Sequence, residues 1–336
     1  MPSDISMTPE ALKAAILDYK ARLSVTVVAH FYQRDEVFEM ADITGDSLEL
    51  ARRCQADESE FVLFCGVGFM GESVKVLSPH KRVVMPKIAC CSMARMISSE
   101  YFDSSVAYCE SYGIKSDDIM PITYINSSAA VKAKVGQMGG MVCTSSNAKT
   151  IITRALQSGK KILFVPDKCL GQNIARDMGL VASVIGDGTD AAKAHIICYD
   201  GFCSVHQLFE TSDIDFYRAK YPDIKVFTHP ECKPEVCEAS DFVGSTSQII
   251  AAIKALDPEQ KVVVGTEYNL VNRLRDKNTY VLSSTKPECP TMNETTLYDL
   301  YVTLKAIDEG NPINEIFLED EVSHYAKIAL ERMLAL

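Results

Sequence analysis

The chain has 336 residues, of which 47% are hydrophobic and 24% are charged, and its formal net charge is −11 at pH 7. A single hydrophobic core usually stops growing near ~250–300 residues, so we expect more than one domain. The negative charge argues against binding to nucleic acid or anionic membranes, and no apolar run approaches the ~18 residues that a membrane helix needs.

The first element in chain order is an amphipathic pattern within "MPSDISMTPEALKAAILDYKARL". This segment has acidic residues, and it lacks the basic patch and apolar region of a signal peptide. We therefore expect a cytoplasmic protein.

Short β-rich runs then alternate with helical patterns in three passes. The first pass runs from "VTVVAHFY" to "KRVVMPKIACCSMARMI", the second from "IMPITYINSSAAVKA" to "AHIICYDGFCSVHQL", and the third from "IKVFTHPECKPEV" to "TYVLSSTKPECPTMN". Strands that alternate with helices predict parallel sheets with both faces covered. The sequence predicts three similar three-layer α/β/α domains, at residues 1–97, 98–210 and 211–293. Two amphipathic helices within residues 294–336 are expected to pack on the first domain.

Each pass contributes the same three kinds of polar residue. A polar cluster ends its first strand, a serine precedes a helix, and a cysteine follows its third strand. The clusters are His30 with Tyr32, Tyr124 with Asn126, and His229 with Glu231; the serines are Ser47, Ser145 and Ser245; the cysteines are Cys91, Cys203 and Cys289. Ligands bind beyond the carboxyl ends of parallel strands, so three units around a common axis would share one central site.

The cysteines allow more than one interpretation. Structural zinc sites use close cysteine pairs, whereas three widely spaced thiolates suit an iron–sulfur cluster with one iron open to substrate. Cys65, Cys143 and Cys198 lie in apolar runs typical of buried packing. Cys232 and Cys237 form a C-x4-C pair, which we interpret as local packing rather than as a metal site.

The three serines also have an alternative interpretation. Ser245 and Gln248 form a capping-box pattern, and Ser47 and Ser145 precede helices too, so all three fit helix caps. A helix N-terminus also binds anions through its free N–H groups, which a net-acidic protein with an anionic ligand would need. The three serines occupy equivalent positions beside the polar clusters, which favours a role in ligand binding. His206, in "CSVH", stays undecided.

Several motifs occur together between about residue 24 and residue 300: "AHFYQ" with "GDS", "YINSS" with "CTSSNA", "PDK.LGQNIA", "GFCSVH", "HPEC" with "GSTSQII", "GTE..LV.RL" and "CPTMN". In this order they resemble the quinolinate synthase family of bacterial de novo NAD synthesis. The resemblance implies three α/β domains with pseudo-threefold symmetry around a 4Fe-4S cluster. It also implies that iminoaspartate (iminosuccinate) and dihydroxyacetone phosphate condense to quinolinate, phosphate and water, with transient contact to an L-aspartate oxidase or dehydrogenase.

The same resemblance assigns roles to individual residues. Cys91, Cys203 and Cys289 would be the cluster ligands, with Cys91 preferred over Cys90 because it precedes the x-Met-Ala of the family motif. Tyr32 would transfer protons during triose isomerisation, and Glu231 with His229 would act in acid–base catalysis. The substrate-binding positions would be His30, Ser47, Tyr124, Asn126, Ser145, His229, Glu231, Ser245 and Thr246.

The sequence departs from the family pattern at one place, and two other functions are alternatives to this interpretation. Between Asn126 and Ser145 the chain has a longer connection, "KVGQMGG", whose glycines indicate mobility and an effect on lid closure. One rival is an aconitase-type iron–sulfur hydro-lyase, which would turn over a single substrate. The other is a non-catalytic iron–sulfur sensor, which should carry an output surface such as a basic helix.

Overall fold

The structure is a computed structural model that describes residues 7–276 and 278–336. By their contacts these divide into two compact units. Among the described residues, the first unit contains 7–90 and 289–318, and the second contains 91–276, 278–288 and 319–336. Within the described ranges, no helix is both long and apolar enough to cross a membrane.

Helices and strands alternate along the chain. The first stretch contains α1 (Pro9–Arg22), β1 (Val25–His30), α2 (Asp35–Phe38), β2 (Ile43–Gly45), α3 (Ser47–Ala56), β3 (Phe61–Cys65), α4 (Gly68–Leu77) and β4 (Arg82–Val84). The second contains α5 (Ser92–Met96), α6 (Ser99–Ser111), β5 (Ile119–Tyr124), α7 (Ala129–Gln137), β6 (Met141–Cys143), α8 (Ala148–Leu156), β7 (Lys161–Val165), α9 (Lys168–Asp177), β8 (Ala182–Val184) and β9 (Ile196–Cys198). The third contains α10 (Thr211–Lys220), β10 (Lys225–Thr228), α11 (Pro234–Glu238), β11 (Phe242–Val243), α12 (Thr246–Lys254), β12 (Val262–Gly265), α13 (Tyr268–Leu274), β13 (Thr279–Val281), α14 (Leu297–Asp308) and α15 (Asp320–Leu334).

Three parallel sheets result, and they confirm the predicted α/β fold class. Their strand orders are β2-β1-β3-β4, β6-β5-β7-β9-β8 and β11-β10-β12-β13. Helices flank the sheets, as parallel crossovers require. The pseudo-threefold arrangement and the three domain boundaries stay predictions.

The core of the first unit lies between β1, β3 and two helices. Helix α1 begins after Thr8, whose hydroxyl accepts a hydrogen bond from the Ala11 N–H, and a proline occupies its first turn. Leu12 and Ile16 of α1 and Leu300 of α14 are buried with the strands in one apolar cluster. The strands are buried along almost their whole length because both sheet faces are covered.

The two C-terminal helices have different partners. Helix α14 packs against α1, as predicted, but α15 packs against α7 and β6 and belongs to the second unit. The prediction that both helices pack on the first domain is therefore wrong for α15. An apolar stripe shows that a helix must be covered, but it does not specify the partner that covers it.

The glycine-rich segment between Asn126 and Ser145 is helical over Ala129–Gln137, and its expected mobility stays a prediction. It forms α7, and an added Cβ at Gly136 would lie 2.0 Å from the carbonyl oxygen of Tyr325 on α15. Here the missing side chain permits a close approach of two helices. Gly139, at φ 80°, then ends this connection in the left-handed region that glycine adopts readily.

Candidate active site

A buried carboxylate is the centre of the polar cluster in the second unit. Tyr124 ends β5, and Glu231 lies just beyond the carboxyl end of β10. The Tyr124 hydroxyl donates to Glu231 Oε1 at 2.5 Å, and only 5% of Tyr124 and 3% of Glu231 are exposed. The structure thus brings together two predicted site residues from different sheets, at strand ends where α/β proteins bind ligands.

Two histidines complete the surroundings of this carboxylate. His206 Nδ1 lies 2.9 Å from Glu231 Oε2, and His229 Nδ1 lies 4.0 Å from Glu231 Oε1. Burial by itself raises the pKa of Glu231, but the nearby His206 and His229 and the hydrogen bond from Tyr124 lower it to about 2. Glu231 is therefore held ionised at neutral pH.

His229 connects Glu231 with Ser145. Its Nδ1 accepts a hydrogen bond from the Glu231 backbone N–H at 3.3 Å, which leaves the proton on Nε2. Nε2 lies 3.2 Å from the Ser145 hydroxyl oxygen and donates to it in this tautomer. The His229 ring also stacks on the His206 ring, with centroids 4.7 Å apart.

His206 is the residue whose role the sequence left undecided. It is buried, and its Nε2 lies 3.1 Å from the Thr266 hydroxyl while Nδ1 faces Glu231. The feature of the sequence that could have identified His206 as a site residue is its position three residues after Cys203 in "GFCSVH". Cys203, His206 and Glu231 offer ligand atoms that all lie within 4.8 Å of one another.

The loops that carry Cys91 and Cys203 lie side by side in the second unit. The hydroxyls of Ser92 and Ser204, each next to one of these cysteines, are 3.2 Å apart. Cys91 and Cys203 are half-buried, whereas Cys90 is exposed. Two thiols with partial access, on adjacent loops, fit the ligand set of a cluster that is open to a substrate.

The remaining cysteines differ in their environment. Cys65, Cys143 and Cys198 are buried within strands, as predicted, and burial raises the pKa of each thiol well above its usual range. Cys232 and Cys237 are also buried and belong to an apolar cluster, which agrees with packing rather than with a metal site. Thiols that are kept protonated, as those of Cys65, Cys143 and Cys198 are, are poor metal ligands.

In the first unit, the loop after β1 contacts the segment that follows Cys289. His30 is buried at the end of β1 and its Nδ1 accepts from the Tyr32 N–H at 3.1 Å. The next residues reach the other segment, with Gln33 Nε2 3.4 Å from the sulfur of Met292, and Arg34 Nε donating to the Asn293 carbonyl. Half-buried Cys289 has its sulfur 3.4 Å from the Thr291 hydroxyl.

The predicted serines occupy three different local positions. Ser245 caps α12 in a complete capping box with Gln248, which confirms the pattern. Ser47 is the first residue of α3, and Asp46 caps that helix instead. Ser145 lies in the turn before α8 and contacts His229. Thr246 is buried at the start of α12 and Asn126 is half-buried just beyond β5.

Together the fold and the cluster are typical of an α/β enzyme with an acid–base site. An ionised carboxylate, a phenol and two imidazoles meet at the carboxyl ends of parallel strands, where they can take up and release protons from a small molecule.

Comparison with known proteins identifies the particular enzyme. The sequence pattern of the family described as "Quinolinate synthetase A protein" matches residues 14–335. The quinolinate synthase of Helicobacter pylori (strain ATCC 700392 / 26695) is 54% identical over 98% of this chain and 99% of its own length. That of Streptomyces coelicolor is 41% identical over 100% of this chain and 89% of its own length. The chain belongs to the quinolinate synthase family and is an enzyme with this activity.

Proposed function

We propose that this enzyme condenses iminoaspartate with dihydroxyacetone phosphate to form quinolinate, phosphate and water. The contact of Glu231 with Tyr124 and His206 carries the proposal. The reaction requires proton transfers at carbon, loss of phosphate, imine formation and dehydration. A carboxylate that stays ionised at neutral pH can accept a proton from carbon, and a phenol hydrogen-bonded to it can return one.

The proposed roles of the other residues follow from their positions. His229, oriented by the Glu231 backbone N–H and by Ser145, binds substrate oxygen atoms and assists Glu231. Ser245 and Thr246 lie at the N-terminus of α12, whose positive partial charge would favour a phosphate or carboxylate in this net-acidic chain. The remaining proposed substrate-binding positions are Asn126 in the second unit and His30 and Ser47 in the first, and Tyr32 moves the proton in triose isomerisation.

We propose a 4Fe-4S cluster as the cofactor, with Cys91, Cys203 and Cys289 as ligands. Their partial exposure fits this role, since the cysteines inside strands are buried and protonated. When bound, the cluster would supply a Lewis-acidic iron for a substrate hydroxyl or carboxylate. A cytoplasmic location is also part of the proposal. An L-aspartate oxidase or dehydrogenase is the proposed source of the imine.

The test begins with protein purified without oxygen. Iron, sulfide and absorbance near ~400 nm are measured together with quinolinate formation, for the parent and for Cys91→Ser, Cys203→Ser and Cys289→Ser. We expect about four irons per chain in the parent, and loss of cluster and activity in each variant. Cys90→Ser is the matched control because Cys90 adjoins Cys91 but is exposed; it should keep both.

Three results would contradict the proposal. The first is zinc in place of iron, and the second is a cluster that survives all three ligand substitutions. The third is turnover of a single substrate without the other, which would favour a hydro-lyase.

A further inference from the structure

A buried asparagine on α9 contacts the segment that contains Glu231. Asn173 is 1% exposed, and its side-chain nitrogen donates to the carbonyl oxygens of Pro230 at 2.8 Å and Cys232 at 2.9 Å. The same nitrogen lies 3.3 Å from the Cys237 sulfur. The two carbonyls belong to the residues immediately before and after Glu231, so one amide holds the backbone on both sides of this carboxylate.

The orientation of this amide follows from its partners. Carbonyl oxygens only accept hydrogen bonds, so the NH₂ group of Asn173 must face them, and its two hydrogens match the two carbonyls. Asparagine is a poor residue for a helix interior, and among the described residues the buried Asn173 Oδ1 has no hydrogen-bond partner, which adds a further cost. An apolar residue would suit this position of α9 better if packing were its only requirement.

The backbone N–H groups of this segment have partners of their own, and that of Glu231 donates to His229 Nδ1 at 3.3 Å. The His229 N–H donates to the Gly265 carbonyl at 3.1 Å, and the Cys232 N–H donates back to the His229 carbonyl at 2.9 Å. These bonds form the turn after β10. The Asn173 amide adds the donor that reaches the carbonyls on either side of Glu231 from a helix of the neighbouring sheet.

We propose that Asn173 is a positioning residue for quinolinate formation, which fixes the backbone around Glu231 and so holds the carboxylate against Tyr124 and His206. The inference rests on the proposed role of Glu231. Without the amide, the buried Pro230 carbonyl loses this donor and the Cys232 carbonyl keeps only the weak Cys237 thiol at 3.6 Å, so the backbone must turn to find other partners. The carboxylate then leaves its position, and misplacements of about 1 Å cost about a hundredfold in rate.

The test uses the full-length, cluster-loaded enzyme with Asn173→Ala and Asn173→Ser. We expect kcat to fall by about tenfold to a hundredfold with the KM of both substrates nearly unchanged, because the loss concerns the chemical step. Iron and sulfide per chain should equal those of the parent. If Asn173→Ala does not fold, Asn173→Ser, which keeps a hydroxyl donor, carries the measurement.

A double-mutant cycle with Glu231→Gln separates positioning from general stability. If Asn173 acts through Glu231, Asn173→Ala should lower kcat by less than about twofold in the Glu231→Gln background. Asn278→Ala is the matched control. Asn278 is buried and its amide donates to the Pro258 carbonyl, but it lies before β13, at the amino end of the sheet. This control should lower the unfolding temperature and leave kcat unchanged.

Four outcomes would overturn the inference. They are an unchanged kcat, a raised KM with kcat preserved, loss of the cluster, and the same fold-loss in the Glu231→Gln background as in the parent. Parent-like activity of the single Glu231→Gln variant would instead refute the proposed role of Glu231, and the inference with it. That result can be distinguished from failure of the inference alone, because it is measured in a variant in which Asn173 is unchanged.

Discussion

Removing the Tyr124 hydroxyl tests the catalytic cluster most directly. In Tyr124→Phe the ring stays and the donor to Glu231 Oε1 is lost. A hydrogen bond to a charged group is worth about 1.5–3 kcal/mol, which corresponds to about 10- to 150-fold in rate if the bond persists in the transition state. We expect kcat/KM for quinolinate formation to fall by this factor, measured by steady-state assay of anaerobically purified protein.

Tyr124→Phe should also change how the stability of the fold depends on pH. The Tyr124 hydrogen bond is one of the interactions that lower the pKa of Glu231 to about 2 from 4.5, so its loss should raise that pKa. Because the folded pKa lies below the ordinary value, these interactions stabilise the fold above pH 4.5, and this stabilisation is lost as the pH falls towards 2. Tyr124→Phe should therefore unfold at a lower temperature than the parent at pH 7, and the difference should narrow below pH 4.5.

A second tyrosine provides the control for both measurements. Tyr217 donates to the Val281 carbonyl at 3.0 Å and packs against the apolar cluster of the third sheet, so its hydroxyl is bound to a backbone carbonyl rather than to Glu231. Tyr217→Phe should lose about 1 kcal/mol of stability and keep kcat/KM. Equal losses of activity in the two variants, or parent-like activity in Tyr124→Phe, would refute the role assigned to this hydrogen bond.

Two further substitutions test packing and buried charge. Gly136→Ala would place a methyl group 2.0 Å from the Tyr325 carbonyl, so α7 and α15 must separate; we expect about 1–3 kcal/mol of destabilisation in thermal unfolding. Gly68→Ala is the control, because its Cβ would lie 3.6 Å from the nearest backbone atom; its free energy of unfolding should be within about 1 kcal/mol of the parent's. Equal destabilisation by the two substitutions would contradict the packing argument. Burial and the charge of Glu231 raise the pKa of Asp167 well above its usual range. Ionised Asp167 therefore destabilises the fold, and the free energy of unfolding falls as the pH rises above the pKa of this group in the unfolded chain. Asp167→Asn should therefore raise the unfolding temperature at pH 8, and by less at pH 5. An unfolding temperature below that of the parent at both pH values would show that the charge of Asp167 is needed.

The places of the polar strand ends were predictable because they depend on local pattern. His30, Tyr124 and His229 end or follow runs of β-branched and apolar residues, and such runs form the central strands of all three sheets. The capping box of Ser245 was equally local, since its two partners are three residues apart. Patterns within a few residues are independent of the rest of the chain, and so they can be interpreted from sequence.

The roles of His206 and Asn173 were not predictable in this way. His206 contacts Glu231, which lies 25 residues further along the chain and follows a strand of another sheet, and Asn173 contacts carbonyls that follow the same strand. A histidine or asparagine in a single sequence gives no indication of such a partner. Similarly, α14 and α15 have comparable apolar faces, yet they pack in different units.

The sequence by itself determined the α/β class, the strand ends that carry polar residues, and the family to which the chain belongs. All three follow from local periodicity and from motifs whose order is read directly along the chain. Only the tertiary structure decided that Tyr124, His206 and Glu231 form one buried cluster, that Asn173 supports it, and that α15 covers α7. Contacts between residues distant in sequence depend on how the sheets and helices pack, because burial is non-directional and favours any partner that fits.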